Sequence, residues 1–514
     1  MTVTRGAARG DAAWWSVLSG LCLLLLAPLT LADLPPLLDY PNHLARLFVL
    51  AFVDADPVLA RFYQPHWAII PNLALDLTVP PLLRALPVHV AGRIVIGVIL
   101  LLPVLGAVAW HRALTGRMSY WPLASVLFVY NAALLRGFLN FIASVGLALL
   151  FAAVWVAWRD RRPGLTILAV SLGAVALFLC HLTGLLFFAI LIGAHEMAWV
   201  RGRPVRAGKI LWRVAVGAVV FAVPAILYAV SDLGQMPGAP KFRDAADKAQ
   251  AALFPVINYF MPLDLMTAAL CVAVAVLCLA RRWCVVPLQG VLALCVLIVL
   301  FLALPHGFKA TSDLDTRFIV MAAALAPATV IPTALPRRAG LTLGLGFLLL
   351  FGVRMGVVMT VWEAWAPELA AFRAVIAPVQ PGDVVLTVRL PRGNEPSIWT
   401  SVASVRRLSD GTVVDGHLPA LLLIEHRAWW PFLFDIPSQQ PIETNEPYRT
   451  MTERIDSSPD PIALLARGAP EMALVTHVLV MGPAPGPGLI GTEGLKPMTA
   501  AGTASLFEVV RRPR

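Results

Sequence analysis

The sequence predicts an α-helical polytopic membrane protein of about 11 transmembrane helices, followed by a small exported C-terminal domain of α/β or α+β type. Of the 514 residues, 59% are hydrophobic and only 14% are charged. The mean hydropathy is +0.78, which lies outside the range of soluble globular proteins. Long apolar windows recur before residue 361, and the charges of the connections between them alternate. These observations together exclude a soluble fold.

Each apolar window has the length needed to cross the bilayer, since about 20 helical residues span about 30 Å of hydrocarbon. The N-terminal window has no small-residue cleavage site after it, so it is predicted as a retained span rather than a signal peptide. The predicted spans are 14–32, 92–110, 119–135, 138–157, 164–180, 183–199, 210–230, 263–280, 285–304, 318–335 and 340–360.

Basic residues are concentrated in alternate connections, such as "WRDRRPG", "RGRPVRAGK" and "PRRAG". By the positive-inside rule these connections and the N-terminus are cytoplasmic. The sequence therefore predicts a multi-pass protein of the cytoplasmic (inner) membrane whose C-terminal domain is periplasmic or otherwise extracytoplasmic. The net charge of +10 is explained by these short loops, so no nucleic-acid partner is expected.

Two domains are expected, a transmembrane domain over 1–365 and an exported soluble domain over 366–514. The transmembrane domain includes a long first external loop, 33–91, in which apolar spacing predicts one or two amphipathic helices at the membrane interface. In the exported domain, "GDVVLTVRL", "ALVTHVLVMG" and "ASLFEVVRR" read as strands. The segments "AWAPELAAFRAVIA" and "PIALLARGA" read as helices.

The first external loop opens with the polar motif "DLPPLLDYPNHLAR", which holds Asp33, Asp39, His43 and Arg46. Charges beside a bilayer are unfavourable unless they are paired, hydrated or functional. Each of three residues also has a structural reading: Asp39 as a helix N-cap, Arg46 as an interfacial anchor and His43 as a polar face residue. Asp33 follows an apolar run and has no visible capping role, which makes it harder to explain structurally.

A second polar motif, "PHGFKATSDLDTRF", contains Lys309, Asp313, Asp315 and Arg317. Two carboxylates at this spacing are able to hold one hard divalent cation, and the alternative is ordinary ion pairing of Asp313 or Asp315 with Arg317. The sequence does not distinguish a metal site from ion pairing. It therefore identifies no cofactor, and a divalent cation is one option.

Two further polar residues interrupt apolar stretches, Arg136 in "RGFLNF" and His181 in "LCHLTG". Their structural alternatives are snorkelling of Arg136 to the surface and a turn role for His181. All these polar residues are predicted to lie at one outer face. Carboxylates and cations gathered there suit an anionic lipid-linked substrate, whose phosphate the cations would hold while a carboxylate accepts a proton from an attacking hydroxyl.

This layout resembles the GT-C superfamily of integral-membrane glycosyltransferases, which use polyprenyl-phosphate sugars. The resemblance rests on the number of spans, the long first external loop with acids directly after span one, and the exported C-terminal domain. "DYPNHLAR", "RGFLNF" and "SDLDTRF" are also similar to motifs of a bacterial family of GT-C-like membrane proteins. The likeness covers most of 14–360 and is weaker over 361–514.

The resemblance implies an inverting single displacement at the outer face of the cytoplasmic membrane. A polyprenyl-phosphate sugar would be the donor, and an envelope glycan or a lipid would be the acceptor. The catalytic base would be Asp39 or Asp33, with Asp39 favoured. Asp313 or Asp315 would bind sugar or a metal, and His43 would lie beside the base. The lipid phosphate would be held by basic residues drawn from Arg46, Arg136, His181, Lys309 and Arg317.

Two other functions are compatible with the composition. A transporter or flippase of a lipid-linked or anionic substrate would place polar residues at mid-membrane in broken helices, whereas here they gather at one face. A non-catalytic membrane assembly protein would use its exported domain to bind a partner, for which the aromatic stretch "EHRAWWPFLF" is a candidate.

Overall fold

The polypeptide is mostly helical in the structure, a computed structural model. It describes residues 3–204, 206–309, 311–390, 406–458, 460–466, 468–482 and 494–510. The helices of the part before residue 400 are α1 (Val3–Leu26), α2 (Tyr40–Phe52), α3 (Pro57–Phe62), α4 (Ala74–Ala85), α5 (Val88–Thr115), α6 (Ala132–Leu135), α7 (Leu139–Trp158), α8 (Pro163–Cys180), α9 (Leu182–Arg201), α10 (Ala207–Val230), α11 (Asp232–Gln235), α12 (Ala245–Ala251), α13 (Met261–Ala280), α14 (Leu288–Ala303), α15 (Thr316–Thr329) and α16 (Arg337–Ile376).

Eight helices in the described residues are long and apolar enough to cross a membrane. They are α5, α7, α8, α9, α10, α13, α16 and the segment Ala12–Thr30, which is most of α1 and the 3-10 turn Ala27–Thr30 that follows it. Three further predicted spans correspond to shorter apolar elements: Trp121–Leu135, α14 and α15. The first of these is not one regular helix, because a 3-10 helix over Trp121–Phe128 is followed by the single turn of α6. The described residues therefore have the predicted helical, membrane-embedded class, with eight long apolar helices where about 11 spans were predicted.

The two ends of the helical bundle differ in chemistry, as the contacts at the two ends of α9 show. At one end, Arg213 near the start of α10 pairs with Glu196 near the end of α9 and with Asp160 after α7. At the other end, His181 between α8 and α9 contacts Arg317 of α15. The basic connections and the polar motifs thus occupy opposite ends of the bundle.

Helices α5 and α7 cross at close range within the bundle. A side chain at Gly106 would overlap the backbone carbonyl of Gly146, and a side chain at Gly146 would overlap the backbone of Leu102. Small residues at such crossings let helix backbones approach and pack by van der Waals contact, which is a main source of helix association in lipid.

The segment 33–91, predicted as the first external loop, forms a layer of helices. A buried ion pair between Arg46 of α2 and Asp76 of α4, with Nε to Oδ1 at 2.7 Å, holds these two helices together. Asp56 caps α3 through bonds from the backbone N–H groups of Val58 and Leu59. The short strand β1 (Tyr63–Pro65) follows α3. Farther along the chain, β2 (Cys284–Val285) and β3 (Ile331–Pro332) form a short antiparallel pair. Helices are found in this loop as predicted, but α2 buries both faces rather than one, so it is an internal helix of this layer.

The C-terminal region contains a four-stranded sheet that packs on the end of α16. Its strands are arranged in the order β4-β6-β8-β7, with β4 and β6 parallel and the other pairs antiparallel. All three predicted strand segments are confirmed. The elements after α16 are β4 (Val385–Arg389), α17 (Leu421–His426), β5 (Ile442–Thr444), α18 (Tyr448–Asp456), α19 (Pro461–Ala466), β6 (His477–Met481), β7 (Leu495–Ala501) and β8 (Ala504–Val509), with 3-10 turns at Leu418–Ala420 and Pro470–Leu474.

The expected boundary at residue 365 falls inside α16, a single helix of 40 residues. The helix that the sequence predicts for "AWAPELAAFRAVIA" is its last part, which carries the chain from the apolar bundle into the sheet. Trp365 of this helix donates a hydrogen bond to the carbonyl of Leu34, so the C-terminal region begins against the first external loop.

The first external loop and the C-terminal region share one core. Strand β1 pairs with β5 in antiparallel register, and the ring of Phe62 packs edge-on against Tyr448 at 4.9 Å. The side chain of Asn42 donates to the carbonyl of Phe432 and accepts from the backbone N–H of Phe434. The aromatic stretch 425–434 is therefore largely an internal contact with α2: both of its tryptophans are buried.

Candidate functional site

Asp39 lies at the start of α2, where the first external loop meets the segment around Arg136. Two backbone hydrogen bonds join the segments, from Leu38 to the carbonyl of Leu135 and from Asp39 to that of Arg136. Gly137 has φ +89°, and a Cβ there would lie 2.9 Å from the Cβ of Asp39. Only glycine fits this approach, because L side chains rarely adopt that backbone conformation.

The side chain of Asp39 does not cap α2. Asp39 occupies the N-cap position, but its carboxylate makes no capping hydrogen bond. Instead it is 18% exposed and lies 3.4 Å, Oδ1 to Nδ1, from His417 of the C-terminal region. The capping alternative for this residue is therefore wrong, and the carboxylate faces other side chains.

Burial raises the pKa of Asp39 to about 7. The positive charge of Arg136 opposes this rise, and the negative charge of Asp313 adds to it. A carboxyl group with a pKa near 7 exists in both protonation states at neutral pH, which is the condition that suits a group exchanging protons with a substrate.

Two neutral histidines line the same region. Burial and the positive charge of Arg389 together lower the pKa of His417 to about 4. Burial also lowers the pKa of His43 well below its usual range, with Arg46 and His417 contributing. Because an arginine only donates, the 3.2 Å contact from Arg46 Nη1 makes His43 Nδ1 the acceptor and places the ring proton on Nε2. Between about pH 4 and pH 7, the carboxyl group of Asp39 is therefore protonated and the ring of His417 is neutral.

Arg136 anchors a network of alternating charges beside Asp39. Its Nη1 lies 2.6 Å from Asp313 Oδ2, and its Nη2 lies 2.8 Å from Asp410 Oδ2 and 2.9 Å from Thr412 Oγ1. The Arg136 guanidinium also lies over the ring of Phe254, 4.6 Å from its centroid. Arg136 therefore joins the bundle to the C-terminal region, and it does not snorkel to an open surface.

The two aspartates of the "SDLDTRF" motif are neutralised by cations from the segment between α11 and α13. Arg243 bonds both Asp313 and Asp315, and Lys248 Nζ lies 2.7 Å from Asp315 Oδ2. Asp315 also accepts a hydrogen bond from the backbone N–H of Thr316. Ion pairing is thus the observed state, but its partners are Arg136, Arg243 and Lys248 rather than the neighbouring Arg317.

Arg317 remains a buried cation without a carboxylate partner among the described residues. It is 8% exposed, and its Nε has no hydrogen-bond acceptor. Its Nη1 lies 2.7 Å from His181 Nε2, and its guanidinium lies over the rings of Phe138 and Phe141. Its Nη2 donates to the carbonyl of Ser312 at 3.3 Å. A buried cation without a carboxylate at ion-pair distance is energetically costly, which distinguishes Arg317 from the other cations of this region.

His181 has the turn role that the sequence suggested, and it also contacts Arg317. Its Nδ1 accepts a hydrogen bond from the backbone N–H of Thr183, which caps α9. Burial and the charge of Arg317 lower the pKa of His181 well below its usual range. The ring is therefore neutral and adds no positive charge to the site.

Three of the predicted site residues have partners away from Asp39. Asp33 pairs with Arg373 of α16 at 2.9 Å, and Arg373 also binds Glu425. Arg46 forms its ion pair with Asp76 and reaches this region only through its contact with His43. The ammonium of Lys309 bonds the backbone carbonyls of residues 233 and 234 at the end of α11. The structure thus gathers Asp39, His43, Arg136, His181, Asp313, Asp315 and Arg317.

The aspartates proposed for a metal do not present a free ligand set. Asp313 and Asp315 are both occupied by cationic side chains, which a divalent ion would have to displace. Within the described ranges no group of three or more His, Cys, Asp or Glu side chains is arranged to hold a metal ion. The donor set observed does not fit a metal centre.

Four residues of the site were missed from the sequence: Arg243, Lys248, Asp410 and His417. The first two lie in the external segment 231–262, whose length and charge were the available signal. Asp410 and His417 lie in the C-terminal region, where no spacing links them to the bundle.

Comparison with known proteins adds no assignment: no family model matches this chain, and no curated protein matches it.

Proposed function

We propose that the chain is a polyprenyl-phosphate-sugar-dependent glycosyltransferase that acts at the outer face of the cytoplasmic membrane on an envelope glycan or lipid acceptor. The observation that carries the proposal is the carboxyl group of Asp39, with a pKa raised to about 7, beside a charged network at the end of the bundle opposite the basic loops. A proton acceptor of this kind is what attack by a sugar or lipid hydroxyl requires.

Asp39 is the proposed general base, in preference to Asp33. The two acids lie close in sequence, but Asp33 is held in an ion pair with Arg373. Among the described residues, Asp39 has only a neutral histidine within ion-pair distance, so no cation at that distance opposes its protonation. His417 is proposed as a positioning residue: its ring packs on Phe434 at 4.9 Å and fixes the side on which the carboxylate is approached.

Arg317 is the proposed ligand of the donor phosphate. It is the buried cation of this site without a carboxylate partner in the described chain, whereas Arg136 has two such partners. A guanidinium forms strong charge-assisted hydrogen bonds with phosphate oxygens. Neutralising that phosphate makes the polyprenyl phosphate a better leaving group, which is electrostatic stabilisation of the transition state.

In the proposed reaction, the acceptor hydroxyl gives its proton to Asp39 while its oxygen attacks the anomeric carbon. The bond from that carbon to the phosphate oxygen breaks, and the electron pair leaves with the polyprenyl phosphate. Attack opposite the leaving group inverts the anomeric configuration. No step is assigned to a metal, since the aspartates are already paired.

The proposed orientation places the N-terminus in the cytoplasm and the C-terminal region outside. It is supported by the separation of the basic connections from the Asp39 site at opposite ends of the bundle, together with the positive-inside rule. On this topology the external loop, the C-terminal region and the site face the compartment that holds envelope glycans.

The experiment is deletion of the gene in the source organism, followed by mass spectrometry of its envelope glycans and lipids. Loss of one glycan that is restored by the wild-type gene and by Asp33→Asn, but not by Asp39→Asn or Arg317→Gln, is expected. Membrane levels of each variant are measured as the control. An unaltered glycome together with altered uptake of an anionic solute would contradict the proposal and support a transporter.

A further inference from the structure

The basic end of the bundle contains a cluster built around Trp199 of α9. Three cations lie against its indole ring: Arg213 at 3.8 Å, Arg203 at 4.7 Å and Lys209 at 5.0 Å from the ring centroid. Contacts of this kind hold cationic groups at fixed positions on an aromatic face. This Trp199 cluster lies between the ends of α7, α9 and α10, and the proposed transferase does not use it.

The acids of this region neutralise only one of its cations. Glu196 and Asp160 both pair with Arg213, and Glu196 also accepts a hydrogen bond from the indole of Trp155. Arg203 and Lys209 have no carboxylate within ion-pair distance in the described part of the chain. The cluster therefore keeps an excess of positive charge.

Arg159, the residue that ends α7, is the most unusual member of this region. It is only 6% exposed, and its guanidinium lies 4.8 Å from the ring centroid of Trp155. Its Nε and Nη2 are buried without a hydrogen-bond acceptor, and no carboxylate of the described residues lies within ion-pair distance. Leaving donors of a charged group unsatisfied costs several kcal/mol unless a ligand supplies the acceptors.

Two other buried polar atoms nearby also lack partners among the described residues. The indole N–H of Trp199, a donor, has no acceptor, and Nδ1 of His195 on the same helix, which donates in one of the two ring tautomers, has no partner either. Unsatisfied groups on three neighbouring side chains, all at one end of one helix pair, indicate that an acceptor-rich anion completes the site.

We infer that this end of the bundle, at Arg159 and the Trp199 cluster, is a binding site for the phosphate headgroup of an anionic phospholipid. A phosphodiester carries the negative charge and the acceptor oxygens that the unpartnered donors require. The position favours a lipid over a soluble anion. The exposed indoles of Trp158 and Trp212 flank the site, as expected for aromatic side chains at the bilayer surface, and basic pockets between helix ends bind such headgroups.

The test uses the full chain purified in a neutral detergent. The midpoint of thermal unfolding is measured during titration with phosphatidylglycerol, with phosphatidylcholine and with inorganic phosphate. A ligand that binds only the folded state raises the midpoint in proportion to the logarithm of its concentration. We expect phosphatidylglycerol to raise the midpoint and the other two additives to leave it within error.

Variants then assign the effect to the site. Arg159→Gln is expected to weaken the apparent phosphatidylglycerol affinity by about tenfold or more, the scale of a charge-assisted hydrogen bond. Arg159→Lys should retain part of it. The matched control is Arg117→Gln, an exposed arginine at the same end of the bundle, whose loss removes at most the roughly fivefold general attraction of one surface charge.

A readout without lipid separates binding from folding. If Arg159 is an uncompensated buried charge, Arg159→Gln will unfold at the same temperature as the wild type or higher when no lipid is present. A lower midpoint would mean that protein groups already satisfy Arg159, and it would overturn the inference. Equal responses to phosphatidylglycerol in Arg159→Gln and in the wild type would overturn it as well. An equal response of the wild type to inorganic phosphate or phosphatidylcholine would rule out the anionic lipid as ligand.

Discussion

Replacing Asp39 with asparagine should change how the stability of the protein depends on pH. Asparagine has the shape of a protonated aspartate and does not ionise. Burial raises the pKa of Asp39 to about 7 from a usual value of 3.8, so between pH 4 and pH 7 the folded protein holds a proton that the unfolded chain has released. By linkage, this group stabilises the folded state fully below about pH 4, and the contribution is lost as pH rises through 7.

The size of the effect follows from the two pKa values. Each pKa unit corresponds to about 1.4 kcal/mol, so the full contribution is about 4 kcal/mol, an upper bound for a side chain that is partly exposed. Asp39→Asn is therefore expected to match the wild type near pH 4 and to become progressively more stable than the wild type up to pH 7, with no further gain above pH 8.

The assay is thermal unfolding of both purified proteins from pH 4.5 to 8.5, expressed as the difference in midpoint at each pH. The difference is needed because His43 and His417 have lowered pKa values, and their contribution to stability rises with pH instead. Asp33→Asn serves as a control for removing one acid from the same loop. A difference between Asp39→Asn and the wild type that stays constant over this range would refute the reasoning, and with it the case for Asp39 as a base at neutral pH.

Three further substitutions test the packing around the site. Asp76→Ala leaves Arg46 charged and buried, so it should lower the free energy of unfolding by about 3 to 5 kcal/mol, whereas replacing both residues with leucine should restore most of the loss in a denaturant titration. Gly137→Ala should displace Asp39, cost about 1 to 3 kcal/mol and fail to complement a gene deletion. Gly146→Ala should lower the unfolding midpoint by separating α5 and α7, whereas Gly193→Ala, with open space at its Cβ position, should leave the midpoint unchanged.

The sequence predicted the helical, membrane-embedded class correctly because that class depends on local pattern. Runs of apolar residues mark the long helices whatever they pack against. Alternating hydrophobic residues marked β4, β6 and β8, all of which are found. The span at 119–135 was expected as a regular helix, but its first half is a 3-10 helix.

The composition of the site was only partly predictable. Asp39, Arg136 and Asp313 were selected as isolated polar residues in apolar surroundings, and the structure brings them together. His417 and Asp410 could not be selected, because they lie in a polar region where nothing distinguishes them from surface residues. Their roles arise from the docking of the C-terminal region on α2 and on the segment around Arg136.

The sequence alone determined that this chain is a membrane-embedded helical protein with basic connections at one end and unexplained acids and cations at the other. It did not distinguish Asp33 from Asp39, since both follow the same apolar segment. The tertiary structure gives them different surroundings: Asp33 pairs with Arg373 of α16, whereas Asp39 is largely buried beside a neutral histidine. The physical reason is that burial and neighbouring charges determine the pKa of a carboxyl group. For these two acids, the surrounding side chains come from distant segments, α16 and the C-terminal region.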